Sequence, residues 1–339
     1  MKIKKKKKTA IVLLILDVCI IICFFLAYGP FSYLRELYIT TAVTTMTHKY
    51  LARTIYTEDM IQDVLDGNYV KESGESTDTS DIVIGDIDDS GEYDSFYDEQ
   101  ILTRDPEHPE YKLIPLKGSN YKGYMVAIYD PSRVELVMTN KLGKIGQFLR
   151  ELVVQNNGIL GMNASGFVDT NEMGNGGEPT GIVIQDGKVI WDATKTGYSG
   201  GIAGFTKDNK LLLTKGSAMD AIKAGMEDAV EFGPFLIVNG NAAEIKGNGG
   251  WGIAPRTVLA QRKDGIVLFA VIDGRQPGYS VGISMVELTK LLQRYKAHNA
   301  VNLDGGASSS IAIGNKTITK PCGYSATGER RIPNAWILK

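Results

Sequence analysis

The sequence predicts an α+β protein: a mixed, largely antiparallel sheet with packed helices, preceded by one transmembrane helix and a helical stalk. Three observations carry that prediction. Thr9 to Tyr28 is an almost unbroken apolar run. Phe31 to Leu65 repeats apolar residues at three- and four-residue spacing. From Tyr111 onward, short apolar runs alternate with Gly-rich turns, with single helices between them.

The first run is about 20 residues, long enough to cross a hydrocarbon layer of about 30 Å. Lys2 and Lys4 to Lys8 precede it. The positive-inside bias therefore keeps residues 1–8 cytoplasmic, makes 9–28 a signal anchor and places the rest outside the cell, a single-pass topology at the cell membrane. Asp17 in mid-span costs about 2.5–3.5 kcal/mol on insertion scales, which the surrounding Ile, Leu and Phe offset. No small-x-small pattern follows Leu26-Ala27-Tyr28-Gly29, which favours a retained anchor over a cleaved signal peptide.

Residues 29–66 form the stalk. Leu34, Leu37, Val43, Leu51, Ile55, Ile61 and Leu65 mark its apolar stripe, and Thr57-Glu58-Asp59 reads as a fresh N-cap that divides it into two helices. It is long enough for a homo-oligomer through paired helices, yet no clear heptads fix an oligomeric state. Residues 67–110 follow. Between Lys71 and Glu110, 14 Asp and Glu stand against two basic residues, among many Ser, Thr and Gly. That composition predicts an acidic flexible linker.

The domain itself spans 111–339. Tyr124 to Tyr129 reads as a strand ending at Asp130-Pro131, and Gly143 to Val154 as an amphipathic helix. Ile159 to Met162 is a short strand delivering Asn163. Asp186-Gly187 and Asp264-Gly265 each sit between two strand-like runs and predict hairpins. Ala218 to Val230 reads as a helix, Phe235 to Val238 as a strand, and Ser284 with Glu287 as a capping box opening a helix to about Ala297.

Several chemistries are excluded or discounted. With 37 basic and 39 acidic residues the net charge is -2, so no basic field invites nucleic acid. Cys19 and Cys23 lie in the apolar run, leaving Cys322 alone in the domain and no disulfide framework, which suits a bacterial surface protein. Gly247 to Gly252 spells G-x-G-x-x-G, but Ile253-Ala254-Pro255-Arg256 follows, so no helix opens there to receive a pyrophosphate. His298 is the domain's one histidine, too few for a His-rich zinc site.

Five polar clusters remain, all at strand ends or Gly-rich turns: Asn163-Ala-Ser165-Gly166-Phe167, Gly176-Gly177-Glu178-Pro179-Thr180-Gly181, Ala254-Pro255-Arg256-Thr257, Asp273-Gly274-Arg275 and Asn302-Leu303-Asp304-Gly305-Gly306. The last continues through Ala307 to Ser308, Ser309 and Ser310. It presents a carboxylate at a strand-to-turn corner beside glycines that admit close approach. Asp-Gly is also a common surface turn, and any one of these acids and arginines suits a structural ion pair. Arg256 enters one hairpin strand and Arg275 leaves the other, so both lie at one open end, where two guanidiniums can clamp a phosphate.

In their order, these Asn-x-x-Gly-Phe, Pro-Arg-Thr, Asp-Gly-Arg and Asn-Leu-Asp-Gly-Gly-x-Ser-Ser elements resemble the phosphodiester glycosidase family, over about Tyr124 to Lys339. The resemblance implies an extracytoplasmic hydrolase that cleaves the glycosidic bond of sugar-1-phosphodiesters, with phosphorylated glycan of the envelope or surface polysaccharide as substrate. Ala307 departs from the pattern, where a third glycine is expected.

Cleavage at an anomeric carbon passes through an oxocarbenium-like state. A leaving phosphate needs charge neutralisation more than a strong acid, which Arg256 and Arg275 supply, with Arg330 as a third cation. One carboxylate must activate water or stabilise the cation: Asp304, with Asp273 and Glu178 as further candidates. Asn163 and Asn302 suit hydrogen bonds to sugar or phosphate. Ser308, Ser309 and the amides of Gly305 and Gly306 suit an anion nest. The sequence requires no cofactor. A divalent metal held by Asp273 and Asp304 is what the alternative, a phosphodiesterase cutting P–O, would need; a non-catalytic module binding phosphorylated glycan is the other alternative.

Overall fold

The computed structural model describes residues 2–45, 49–85, 91–169, 174–193 and 200–339. The chain divides into two units, residues 1–69 with 246–252 and residues 70–245 with 253–339.

In the first unit, the helix Lys2–Tyr28 contains a segment, Ala10–Tyr28, long and apolar enough to cross a membrane. Three shorter helices follow, Ser32–Val43, Lys49–Ile55 and Glu58–Gly67. The Thr57 hydroxyl accepts from Met60 N at 3.3 Å, so the N-cap lies where the sequence signal puts it. The helices share a small core of Ile39, Ala42, Ala52, Tyr56, Ile61 and Val64, so the expected stalk is a folded-back cluster. The G-x-G-x-x-G run belongs to this unit. Gly247 and Gly252 adopt left-handed φ, Asn248 Nδ2 donates to Thr40 Oγ1 at 2.8 Å, and Asn248 N donates to Asn68 Oδ1 at 2.8 Å. Those glycines serve close packing.

The second unit is built on three antiparallel sheets. The seven-stranded sheet runs, in spatial order, Asn241–Ala242, Phe235–Val238, Ala297–Leu303, Arg256–Arg262, Val267–Ile272, Lys122–Ile128 and Tyr111–Lys117. One five-stranded sheet joins Lys188–Asp192, Ile182–Gln185, Met226–Glu231, Ile202–Thr206 and Leu211–Thr214. The other joins Lys316–Thr317, Ile311–Ile313, Leu160–Asn163, Asn334–Leu338 and Val134–Met138. Their inner faces meet in one core that includes Val126, Leu259, Phe269, Val301, Phe205 and Trp336. Val267-Leu-Phe-Ala-Val-Ile272 is apolar without alternation because both faces of this strand are buried. Each large side chain there contributes about 1.5–3 kcal/mol. The helix Met285–Arg294, opened by the Ser284–Glu287 capping box, packs on the strand Ala297–Leu303.

Four expectations need correction. The helix expected over 143–154 covers only Leu149–Gln155, since Gly143 is left-handed and Gly146 and Gln147 pair with loop backbone. The helix expected over 218–230 stops at Lys223: Gly225 adopts φ 97°, and Met226–Glu231 is a strand. The helix expected to reach Ala297 ends at Arg294, with Lys296 at φ 56° turning the chain into the strand.

The fourth concerns the acidic linker, whose described residues from 70 onward belong to the second unit and pack on its sheets. Ile82 and Ile101 are fully buried. Thr77 Oγ1 donates to Leu213 O at 2.8 Å, and Val83 N donates to Lys263 O at 2.8 Å. The Asp98 carboxylate meets buried Arg262 at 3.0 Å, from a short helix, Phe96–Leu102, capped by Ser95. Composition reported the charge; it could not report basic partners more than a hundred residues away.

Candidate active site

The site lies where three strands of the seven-stranded sheet end together. Arg256 pairs with Ile272 and Thr257 with Leu303, so Arg256, Asp273 and Asp304 fall at one edge. Two hydrogen bonds set the corner: Asp304 N donates to Ala164 O at 3.2 Å, and Asn163 Nδ2 donates to Asp304 O at 2.6 Å. Asn163 Oδ1 accepts from Thr257 Oγ1 at 2.9 Å and from Ser310 N at 3.1 Å. Asn163 is fully buried. The expected substrate ligand is therefore the bracket that holds residues 304–310 against two sheets.

Beyond Asp304 the chain makes a single tight turn, Gly306–Ser308. Gly306 adopts φ 61°, and a Cβ there would lie 3.3 Å from an Arg275 nitrogen, so that guanidinium rests on the glycine. A Cβ on Gly305 would lie 2.8 Å from Pro255 O. The backbone approach holds Gly305 to glycine, and the left-handed φ holds Gly306 to it. Ala307 keeps an ordinary right-handed or extended φ, so the backbone itself does not require the expected third glycine. Gly306 N donates to Pro255 O, Ser308 N to Gly305 O and Ser309 N to Gly306 O. The expected anion nest from the Gly306 amide is thus occupied by the turn itself.

The Asp304 carboxyl titrates well above its ordinary range, at about 6. Burial is the main cause and the Asp169 carboxylate adds repulsion, opposed by the Ser308 hydroxyl, Arg330 and Arg275. The residue as a whole is half-buried. Asp169 is buried; its Oδ2 accepts from Arg330 Nη2 at 2.7 Å and its Oδ1 from Gly174 N at 2.8 Å. Arg330 also lies over the Phe167 ring, 4.7 Å from its centroid. Asp169 was missed in the sequence, although it stands two residues after the Asn163-to-Phe167 cluster.

Arg256 and Arg275 are brought together. Arg256 is buried, and burial followed by Arg275's charge lowers its pKa to about 9. Arg275 is exposed and strained at φ 56°, its amide closing a loop onto Val281 O at 3.0 Å. Such strain is held only where the surroundings fix it.

Two carboxylates proposed for chemistry lie elsewhere in role. Asp273 is fully buried, its Oδ2 accepts from the Tyr279 hydroxyl at 2.9 Å and its Oδ1 from Lys320 N at 2.9 Å. It pins the Arg275 loop to the 320 turn, with neither oxygen presented to a metal or a substrate. Glu178 is exposed, and its backbone carbonyl accepts from Val168 N at 2.8 Å. No hydrogen bond or ion pair among the described residues ties its carboxylate to the cluster. Asn302 is buried, and its Nδ2 donates to Gly233 O at 2.9 Å, which fixes the loop between sheets. Ser309 is buried and its hydroxyl has no hydrogen-bond partner. Among the described residues, no three His, Cys, Asp or Glu side chains gather as a metal site would require.

The sequence pattern of the phosphodiester glycosidase family matches residues 156–339. The Bacillus subtilis (strain 168) SPbeta prophage-derived uncharacterized protein YomE is 29% identical over 167 residues, covering 47% of this chain and 25% of that protein. The chain therefore spans about a quarter of the length of that relative. Among solved structures, the catalytic domain of zebrafish N-acetylglucosamine-1-phosphodiester alpha-N-acetylglucosaminidase, auto-inhibited by its pro-peptide, superposes with a TM-score of 0.54 at 18% identity, covering 67% of this chain and 81% of that one. A hypothetical protein from Synechocystis gives a TM-score of 0.47 at 15% identity, over 68% of this chain and 62% of that one. The zebrafish likeness establishes the fold.

Proposed function

The chain belongs to the phosphodiester glycosidase family, and from that premise we propose that it hydrolyses the glycosidic bond of sugar-1-phosphodiesters on the outer side of the cell membrane. The observation that carries this reading is the Asp304 carboxyl, titrating near neutrality between Arg275, Arg330 and Ser308. A carboxyl poised there is ionised at neutral pH yet basic enough to take a proton from water. Buried Arg256 and exposed Arg275 receive the phosphate, whose departure they favour by neutralising its charge. Asp169, held by Arg330 at 2.7 Å, keeps that guanidinium beside Asp304 and lends negative charge to an oxocarbenium-like centre.

The apolar N-terminal helix, with its lysines before it, supports a retained anchor and an outward-facing domain. Phosphorylated glycan of the envelope or surface polysaccharide is then the substrate within reach. The test is product analysis on the full chain in detergent with a labelled sugar-1-phosphodiester, with and without chelator. A free sugar and a phosphomonoester, released with chelator present and lost in Asp304→Asn, is the expected result. Sugar phosphate as product, or full activity in Asp304→Asn, overturns the assignment.

A further inference from the structure

The end of the seven-stranded sheet opposite Asp304 holds a cavity of about 610 Å³, and no step proposed above uses it. Its wall includes Asp81, Lys263, Gln293, Lys296 and His298, with the backbone of Gly240. His298 lies on the strand Ala297–Leu303 that leads into Asp304, six residues before it, or about 20 Å away along an extended chain. The cavity is thus a separate place on the same strand.

His298 is 2% exposed, and its Nε2 is buried with no hydrogen-bond partner. The Asp81 carboxylate beside it keeps its Oδ2 3.6 Å away, beyond a hydrogen bond. A buried ring nitrogen without a hydrogen bond is costly, and His298 forms part of the cavity wall, so a ligand hydroxyl seated there can relieve that cost. The charged groups around it neutralise one another. Lys263 meets Asp81 at 3.1 Å, Lys296 meets Asp94 and Asp98, and Arg262 meets Asp98 at 3.0 Å and Asp264 at 2.8 Å. A bare anion gains little from such a lining, because each cation already has its carboxylate. A polyol gains more: each hydroxyl donates to a carboxylate oxygen and accepts from an ammonium or an imidazole N–H beside it. The Lys263–Asp81 pair is solvent-exposed and held weakly, so a hydroxyl can join it without large loss. Gln293, exposed at the end of its helix, offers an amide with both functions. The volume suits one or two sugar rings.

The geometry points to a second carbohydrate-binding site in this cavity, recognising a neutral sugar unit by paired carboxylate, ammonium, imidazole and amide groups. The choice of a sugar rests on the glycosidase reading above; the cavity and its lining do not. Binding of D-glucose, D-galactose and N-acetyl-D-glucosamine to the full chain is measured by saturation-transfer NMR in a detergent without a sugar headgroup, with inorganic phosphate as control. At least one sugar is expected to bind in the millimolar range. Gln293→Trp, which fills the cavity, and Lys263→Ala are each expected to weaken it by about tenfold or more, with turnover at Asp304 unchanged. Sugar binding that persists in both variants, that disappears only in Arg275→Ala, or that is absent from the wild type overturns the site. So does binding of phosphate alone. Turnover of a sugar-1-phosphodiester is read separately, so loss of this site and loss of the proposed activity are told apart.

Discussion

Asp304 is held at odds with its own charge. Its folded pKa is raised to about 6, chiefly by burial, so ionising it costs the native state. The stabilising contribution of its protonated form is complete below the ordinary carboxyl range and disappears as pH rises through about 6. Asp304→Asn removes that dependence: its melting temperature relative to wild type should rise between pH 5 and pH 8, while turnover falls by about a hundredfold or more. For a base, wild-type kcat/KM should climb along a limb centred near 6. Asp169→Asn removes a repelling carboxylate and frees Arg330 to act on Asp304. Both changes favour ionisation, so that limb should move to lower pH. An unmoved limb would separate Asp169 from the titration altogether. Asp304, Arg256 and Arg275 were legible as a group because each stands at a strand end with turn residues beside it. Asp273 was not legible as a structural group, because its partners, Tyr279 and the Lys320 amide, are supplied by two loops that no local pattern connects.

Asn163 shows at the scale of elements how one side chain joins two sheets. It receives Thr257 from the seven-stranded sheet and the Ser310 amide, and it gives to Asp304 O. Asn163→Ala leaves buried donors and an acceptor without partners, at about 1–3 kcal/mol each. Thermal denaturation should show that loss, together with reduced kcat. The acidic segment is the second such joint. Asp98 and Arg262 are almost wholly buried, and Arg262 keeps Asp264 when Asp98 is removed. Asp98→Ala should therefore cost about 2–3 kcal/mol, and chemical denaturation is the direct measure. The two hairpins were legible from Asp186-Gly187 and Asp264-Gly265, since those turns fix their own neighbours. The helix that stops at Lys223 was not, because Met226–Glu231 gains more from pairing with Ile182–Gln185 and Ile202–Thr206 than from continuing the turn. Helical spacing alone carries no record of that competition.

For the whole molecule, composition marked an apolar start and a Gly-rich region of short strands, and misjudged what lies between. Ile101 O accepts from the Tyr129 hydroxyl at 2.8 Å, Gln100 accepts from Tyr295 at 2.8 Å, and Glu72 accepts from Phe235 N at 3.1 Å. These bonds come from residues that any cut made at the change of composition would discard. A soluble fragment beginning at Tyr111 would carry Arg262 without Asp98 and would bare the apolar seats of Ile82 and Ile101. It should aggregate or melt early, whereas residues 70–339 should give a sharp, reversible transition and a monodisperse elution profile. The smallest piece of this chain expected to fold alone is then longer at its front than the family pattern delimits. Deleting the acidic stretch should therefore cost the second unit its folding rather than trim an appendage from it.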